Sequence, residues 1–111
     1  MESLAELGIE PASLDAFVAA AQRPLMVEFW APWCGTCRLM APSLAKLKTE
    51  MDGTVDVLTV NVEVGQDTAL AHDVLSLPTI IAFSGGKEVS RIHGMKSYAN
   101  LLAAARDLSA N

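Results

Sequence analysis

The sequence predicts an α/β domain built on a central mixed β-sheet with helices on both faces. Apolar segments rich in β-branched residues alternate along the chain with segments of helical periodicity. The last two strand-like segments are joined by the short turn at residues 84–87, which makes them an antiparallel hairpin. At 111 residues the chain has the length of one domain and can bury an apolar core. We therefore expect a single domain over residues 1–111.

The first part of the chain predicts a helix followed by a buried strand. Apolar residues at the opening, around residues 4–7, fit a first strand. Apolar side chains three or four apart then indicate a helix that begins at Pro11 or Ser13 and ends before Pro24. Residues 25–30 form an almost continuous apolar run, which is typical of a central strand covered on both faces.

The middle of the chain predicts a long helix, a strand and a short helix. Helical periodicity begins at about Cys34, runs past Pro42 and stops at Gly53. Residues 55–62 read as a β-branched strand, and residues 67–73 read as a short helix.

The end of the chain predicts the hairpin and a closing helix. Residues 79–83 and 88–92 are the two strands of the hairpin, and a closing amphipathic helix covers residues 97–108. Together with the earlier elements, this order yields a mixed sheet with a helix between most strands.

Composition and charge exclude several classes of function. The net charge is −5, and the eight basic residues are scattered singly, so nucleic acid is not an expected partner. The apolar runs fall short of the roughly 18 residues that a membrane span needs, so we expect no membrane partner. Acidic residues stand where a secretory signal has its positive end, which leads us to expect a cytoplasmic protein unless a leader was removed. We also expect a monomer.

The two cysteines, Cys34 and Cys37, are the strongest functional signal. They are too few for a secreted disulfide scaffold, and in a reducing compartment such a pair is typical of redox activity. One helical turn places their Cβ atoms roughly 5–6 Å apart, and small adjustments bring them to the distance of a reversible disulfide. Because Cys34 stands at a helix N-terminus, its thiolate is stabilised, and it is expected to attack a substrate disulfide. Cys37, one turn further along the helix, is expected to resolve the resulting mixed disulfide. Gly35 lets a partner's backbone approach.

Two alternatives compete with a redox role for this cysteine pair. The pair is either without function or half of a metal site. A zinc site needs two more ligands, and among soft donors only His72 and His93 remain, without a second C-x₂-C pair. We therefore expect no metal and no bound cofactor.

Glu28 is an acidic residue in the middle of the apolar run at residues 25–30. It alternates onto one face with Met26 and Trp30, and burial there would raise its pKa. A carboxyl group beneath the cysteines could then exchange a proton with Cys37. The alternative is that Glu28 lies at a strand end and reaches solvent.

Beyond these patterns, the chain resembles the thioredoxin family. The resemblance is carried by VEFWAPWCGTCR at residues 27–38, by Pro42 and by the later Leu77-Pro78-Thr79, and it extends in order from about Leu14 to Leu108. It implies the thioredoxin fold, reduction of protein disulfides, and a thioredoxin reductase as electron donor.

The resemblance also implies roles for residues outside the cysteine motif. Pro78 matches the family's cis-proline, which exposes Leu77 for pairing with a partner strand. His93 and Gly94, followed by Met95, match the loop that completes the rim of the docking surface, although a lone histidine is also an ordinary surface residue. The resemblance further implies that Trp33, Leu77 and Met95 form an apolar patch for docking. Trp30 is instead expected in the core.

Three positions depart from the family pattern. Thr36 replaces the usual proline between the cysteines, Glu28 replaces an aspartate, and Thr59 stands where many members have a lysine. All three bear on redox tuning, and we expect a potential more oxidising than is usual for the family. Two alternative functions follow: an oxidase or isomerase of the same fold, and a binding module whose cysteines are incidental.

Overall fold

The structure is a computed structural model that describes residues 4–110, and it is built on one mixed sheet. The strands are β1 (Leu25–Trp30), β2 (Asp56–Asn61), β3 (Thr79–Ser84) and β4 (Lys87–His93). The α-helices are α1 (Leu14–Ala20), α2 (Gly35–Glu50), α3 (Gln66–Ala71) and α4 (Tyr98–Ser109), and two 3₁₀ helices precede them at Leu4–Leu7 and Pro11–Ser13.

The first strand, β1, lies in the interior of the sheet, whose spatial order is β2-β1-β3-β4. It pairs in parallel with β2 and antiparallel with β3, which pairs antiparallel with β4. Every residue of β1 is buried, as its apolar run predicts. The predicted mixed sheet is confirmed, and the start of α2 follows β1 after a loop of four residues.

Side chains of β1 alternate between two apolar clusters, one on each face of the sheet. Leu25, Val27 and Phe29 pack with residues of α1 and α3. Met26 and Trp30 pack in the other cluster, to which α2 and α4 contribute, and which contains Cys34 and Cys37. Helices therefore cover both faces, and the period of two along β1 decides which side chains approach the cysteines.

The opening of the chain differs from the predicted strand. Residues Leu4–Leu7 form a 3₁₀ helix, closed by a hydrogen bond of 3.1 Å from the Gly8 N–H to the Ala5 carbonyl. Among the described residues of this opening, only Gly8 makes a bridge to the sheet edge, at Thr59 of β2. The strand assignment was wrong because the apolar residues of the opening are buried through a tight turn rather than through pairing.

The remaining predicted elements appear with shifted ends. The first predicted helix divides into the 3₁₀ helix Pro11–Ser13 and α1, whereas α2 continues through Pro42 as one helix of 16 residues. Helix α3 is shorter than predicted, and the chain then turns at Asp73, whose φ is +56°. Among residues 4–110, no helix is both long and apolar enough to cross a membrane.

Candidate active site

The cysteine pair lies where the chain leaves β1 and enters α2. Cys34 is the N-cap of α2, and its sulfur accepts a hydrogen bond of 3.2 Å from the backbone N–H of Cys37. The two sulfurs form a disulfide, with Cα atoms 5.3 Å apart. Cys34 is 7% exposed and Cys37 is fully buried, so Cys34 is the more accessible sulfur.

The two residues between the cysteines, Gly35 and Thr36, lie next to the Cys34 sulfur. A Cβ atom built on Gly35 would have no atom within 4 Å from described residues outside its chain neighbours and its own helix turn. The hydroxyl of Thr36 lies 3.5 Å from the Cys34 sulfur. Because a disulfide sulfur carries no proton, the hydroxyl is the donor in this pair.

A loop from another part of the chain completes one side of the site. The Leu77–Pro78 peptide bond is cis, as the resemblance implied. The Pro78 carbonyl accepts a hydrogen bond of 2.9 Å from the N–H of Gly94, whose φ is +78°. This bond joins the Leu77–Pro78 segment to the loop that follows β4.

An apolar groove of about 380 Å³ adjoins the site. Trp33 and Leu77 lie on its wall together with Leu70 of α3 and Leu75 from the segment after it. Trp33 is 68% exposed and Leu75 is 88% exposed, which is unusual for such large apolar side chains. The groove can therefore accept an apolar side chain of a partner beside Cys34.

Glu28 is buried in the middle of β1, with 1% of its surface exposed. Its strand neighbours are Thr59 on β2 and Ile80 on β3. Neither carboxyl oxygen has a hydrogen-bond partner in the described structure, and removal from water raises the pKa of Glu28 to about 8. The interpretation in which Glu28 reaches solvent at a strand end is wrong.

Comparison with known proteins shows the family of this chain. The sequence model of the thioredoxin family matches residues 7–107. This chain belongs to the thioredoxin family. The thioredoxin of Mycobacterium tuberculosis is 36% identical over 110 residues, which cover 99% of this chain and 95% of that protein. The thioredoxin of Streptomyces clavuligerus is 39% identical over 90 residues, covering 81% of this chain and 83% of that one.

A third relative joins the same kind of domain to a second activity. It is the bifunctional thioredoxin reductase/thioredoxin of Mycobacterium leprae, 40% identical over 101 residues that cover 91% of this chain and 21% of that protein. With the Cys34–Cys37 pair at disulfide distance, membership of the thioredoxin family makes this chain a thiol–disulfide oxidoreductase.

The structure brings most of the predicted site residues of this thioredoxin-family chain to one region. Trp33 and Leu77 share the groove, but Met95, although 48% exposed, is not on its wall. His93 is exposed at the end of β4, opposite Thr79, and no described hydrogen bond joins it to a cysteine. Two members of the predicted patch, Trp33 and Leu77, therefore line the groove, and the third, Met95, is exposed.

The observed burial of Trp30 and His72 can be compared with the positions predicted for them. Trp30 is 8% exposed and belongs to the core, as predicted, yet its ring nitrogen has no described hydrogen-bond partner. The ring of His72, expected on the surface, is only partly exposed, because it packs against Phe29 and Phe83 and its Nε2 lies 2.9 Å from an Asp15 oxygen.

Two features of the site were missed by sequence reasoning. The groove extends to α3, where Leu70 and Leu75 are exposed leucines beside a short helix; that pattern is a detectable signal. The second feature is a hydrogen bond of 3.4 Å from the Lys96 N–H to the Met40 sulfur, for which the sequence carries no signal. Among the described residues, no cluster of three potential metal ligands occurs.

Proposed function

We propose that this thioredoxin-family chain reduces disulfide bonds of other proteins by dithiol–disulfide exchange through Cys34 and Cys37. The observation that carries the proposal is the hydrogen bond from the Cys37 N–H to the Cys34 sulfur at the start of α2. A backbone donor and the positive end of a helix both favour the thiolate form of Cys34. The other sulfur is held one turn away, within bonding reach.

The reaction begins from the reduced pair and moves two electrons to the substrate. The Cys34 thiolate attacks one sulfur of the substrate disulfide, and the other sulfur leaves as a thiolate that takes up a proton. Cys37 then loses its proton and attacks the Cys34 sulfur. This step breaks the mixed disulfide, forms the Cys34–Cys37 disulfide and releases the second substrate sulfur as a thiolate, which also takes up a proton, so the substrate has gained two electrons and two protons.

Glu28 is proposed as the group that exchanges a proton with Cys37: its carboxylate form, the minor form below pH 8, accepts the proton as Cys37 attacks. A pKa of about 8 is close to the roughly 8.5 of an ordinary thiol, so a proton can pass between them without a large barrier. Glu28 points to the face of the sheet that packs against the cluster containing Cys37, which supports this role. Burial keeps competing protons of bulk water away from the exchange.

Substrate docking is proposed to use the exposed surface around Cys34. Gly35 and Thr36 leave room above the cysteine, and Trp33 with Leu77 would bury an apolar side chain of the substrate. The backbone of Leu77, held by the cis bond to Pro78, would pair with an extended substrate segment. On the far side of the site, His93 and Gly94 form the proposed rim.

The reductant is proposed to be a separate reductase, with no cofactor bound to this chain. The dithiol itself carries the two electrons, so exchange needs only a donor that reopens the disulfide. A relative in which thioredoxin is joined to thioredoxin reductase supports a donor of that kind. A monomer in the cytoplasm, a reducing compartment, fits net reduction.

The test is reduction of insulin disulfides driven by a dithiol, comparing the chain with Cys34→Ser and Cys37→Ser. We expect activity only when both cysteines are present. We also expect the Cys37→Ser variant to accumulate a mixed disulfide with the substrate, because it can attack but cannot resolve. Equal activity of either variant with the unsubstituted chain would contradict the proposal.

A second candidate function, net oxidation or isomerisation, is favoured by Thr36. The threonine places a hydroxyl donor 3.5 Å from the Cys34 sulfur, and a donor that stabilises the thiolate also stabilises the reduced form. Equilibration with glutathione decides between the functions. A potential well above that of a reference thioredoxin favours oxidation, whereas an equal or lower one favours reduction. Incidental cysteines in a binding module would show no exchange at all.

A further inference from the structure

The hydroxyl of Thr59 ties the beginning of the chain to the strand beside Glu28. Thr59 lies opposite Glu28 in the parallel pairing of β1 with β2, so the two side chains are neighbours on the same face of the sheet. Its hydroxyl donates a hydrogen bond of 2.6 Å to the carbonyl of Leu4, 55 residues earlier. Thr59 is fully buried, so water does not compete for this bond.

The 3₁₀ helix Leu4–Leu7 covers this face at the edge of the sheet. Leu4 and Leu7 are each 4% exposed, and they belong to the same apolar cluster as Met26, Trp30 and Cys37. A second bond, of 3.0 Å from the Ile9 N–H to the Thr59 carbonyl, holds the chain where it leaves the helix. Thr59 therefore holds the segment from both its backbone and its side chain.

We propose that Thr59 is a positioning residue for the exchange reaction, because its hydroxyl holds the Leu4–Leu7 turn in place and thereby keeps water away from the Glu28 carboxyl group. The effect on the reaction rests on the proposed role of Glu28. The exclusion of water does not depend on that role.

Because the surroundings of Glu28 are apolar, the exclusion of water controls the pKa of its carboxyl group. On its face of the sheet, the neighbours from β1 are Met26 and Trp30, and those from β2 and β3 are Thr59 and Ile80. The other elements that pack on this face, which are the first 3₁₀ helix, α2 and α4, contribute apolar side chains and the cysteines to the cluster. Among the described residues of this cluster, Tyr98 of α4 packs against it with its phenol ring, and reduction of the disulfide frees the thiols of both Cys34 and Cys37.

No charged side chain of the described structure therefore sets the protonation of Glu28. Burial is the cause of its raised pKa, with no contribution from a neighbouring charge. The neighbour of Glu28 on β2 is the neutral hydroxyl of Thr59, which is bonded to Leu4. A loosened turn would admit water, stabilise the carboxylate and lower the pKa.

The test uses the full chain with Thr59→Val and the matched control Thr59→Ser. Valine keeps the shape of threonine but cannot donate, whereas serine keeps the hydroxyl. Titration of the Glu28 carboxyl is followed by ¹³C NMR, and backbone hydrogen exchange at Gly8 and Ile9 reports whether the turn has opened. We expect Thr59→Val to lower the titration midpoint of Glu28 by about one pH unit or more and to speed hydrogen exchange at Gly8 and Ile9. In Thr59→Ser, both the midpoint and the exchange rates should stay near those of the unsubstituted chain.

A second variant covers the case in which Thr59→Val fails to fold. A Cβ atom at Gly8 would lie 3.0 Å from the Ala5 carbonyl oxygen and 3.6 Å from the Thr59 hydroxyl, so Gly8→Ala strains the same turn from the other side. It should lower the midpoint of Glu28 in the same direction. An unchanged midpoint in a variant whose turn exchanges faster would overturn the inference, and so would an unchanged turn in Thr59→Val.

The pH profile of the resolving step separates this inference from the proposed function. If the midpoint of Glu28 falls and the profile of mixed-disulfide resolution moves with it, both are supported. If the midpoint falls while the profile stays in place, the inference stands and the proposed role of Glu28 as proton acceptor is refuted.

Discussion

The backbone N–H of Lys96 donates a hydrogen bond to the sulfur of Met40, over 3.4 Å. Met40 lies in α2, three residues after Cys37, and is almost fully buried. The bond therefore joins the active-site helix to the loop after Gly94, which is bonded on its other side to the Pro78 carbonyl. The loop that carries the proposed rim is in this way held both to α2 and to Pro78.

Replacing Met40 with leucine should loosen this loop without emptying the core. Leucine is similar in volume but accepts no hydrogen bond. Losing a bond worth about 0.5–1 kcal/mol should raise KM for a protein substrate about two- to fivefold, with kcat nearly unchanged. Insulin reduction kinetics measure both constants. Leu44→Met, in the same helix, is the control; a rise in KM there of equal size would argue against the Met40 bond.

Glu28 should make the protein less stable as the pH rises. The pKa of Glu28 is about 8 in the folded protein, against its ordinary value of 4.5, so between these values the folded state holds a proton that the unfolded chain releases. The free energy of unfolding therefore falls from pH 4.5 to about 8, by on the order of a few kcal/mol, and then levels off. Glu28→Gln should remove this fall.

Urea unfolding at pH 5, 7 and 9 measures the effect. The variant should gain stability relative to the unsubstituted chain as the pH rises, and Glu63→Gln, an exposed site, should not. If the free energy of unfolding changed with pH equally for Glu28→Gln and for the unsubstituted chain, the carboxyl group would be hydrated in solution.

The hydroxyl of Thr36 should help to hold Cys34 as a thiolate. It lies 3.5 Å from the sulfur, and a donor stabilises the charged form more than the thiol. Thr36→Val keeps the shape and removes the donor, so the pH midpoint for alkylation of Cys34 in the reduced protein should rise by about half to one unit. Thr36→Ser should leave the midpoint nearly unchanged. A midpoint that does not move in the valine variant would show that the backbone N–H of Cys37 suffices.

The exposed Leu75 should contribute to substrate docking through the groove. It is 88% exposed, so Leu75→Ser should leave the free energy of unfolding almost unchanged. Losing an apolar contact should raise KM for a protein substrate about three- to tenfold and leave reduction of a small disulfide unaffected. Val89→Ser, on β4 and also exposed, is the control, since it does not line the groove. Equal losses in both variants would argue against a specific groove.

Arg91 should stabilise the fold without affecting exchange. Its guanidinium donates to both oxygens of Glu88, each at 2.8 Å, and to the carbonyls of His72 and Asp73 at the end of α3. Because this group is partly exposed, Arg91→Ala should cost about 1–2 kcal/mol of unfolding free energy. Arg91→Lys should recover only part of this unfolding free energy, since lysine lacks the planar guanidinium that binds both Glu88 oxygens. Urea unfolding measures the loss; reduced insulin activity in a folded Arg91→Ala would contradict the assignment.

Local periodicity was enough to predict most of the fold. Strands β1 to β4 and helices α2 to α4 lie within a few residues of their predicted positions, because the apolar period and the turn residues act over short distances. The strand predicted for the opening was wrong because Leu4, Ala5 and Leu7 suit either a strand or a tight turn, and only the contact with Thr59 of β2 distinguishes the two. The candidate site was predictable for the same local reason at Cys34 and Cys37, which are one helical turn apart.

The sequence by itself determined the order of the elements, the redox pair and the face of β1 on which Glu28 lies, since each depends on spacing within a few residues. Only the tertiary structure decided that Glu28 is dry, that Thr59 bonds to Leu4, and that Trp33 and Leu77 form one groove. These features depend on contacts between segments far apart in the chain. Burial and hydrogen bonding there are properties of the packed sheet and helices, and no short segment encodes them.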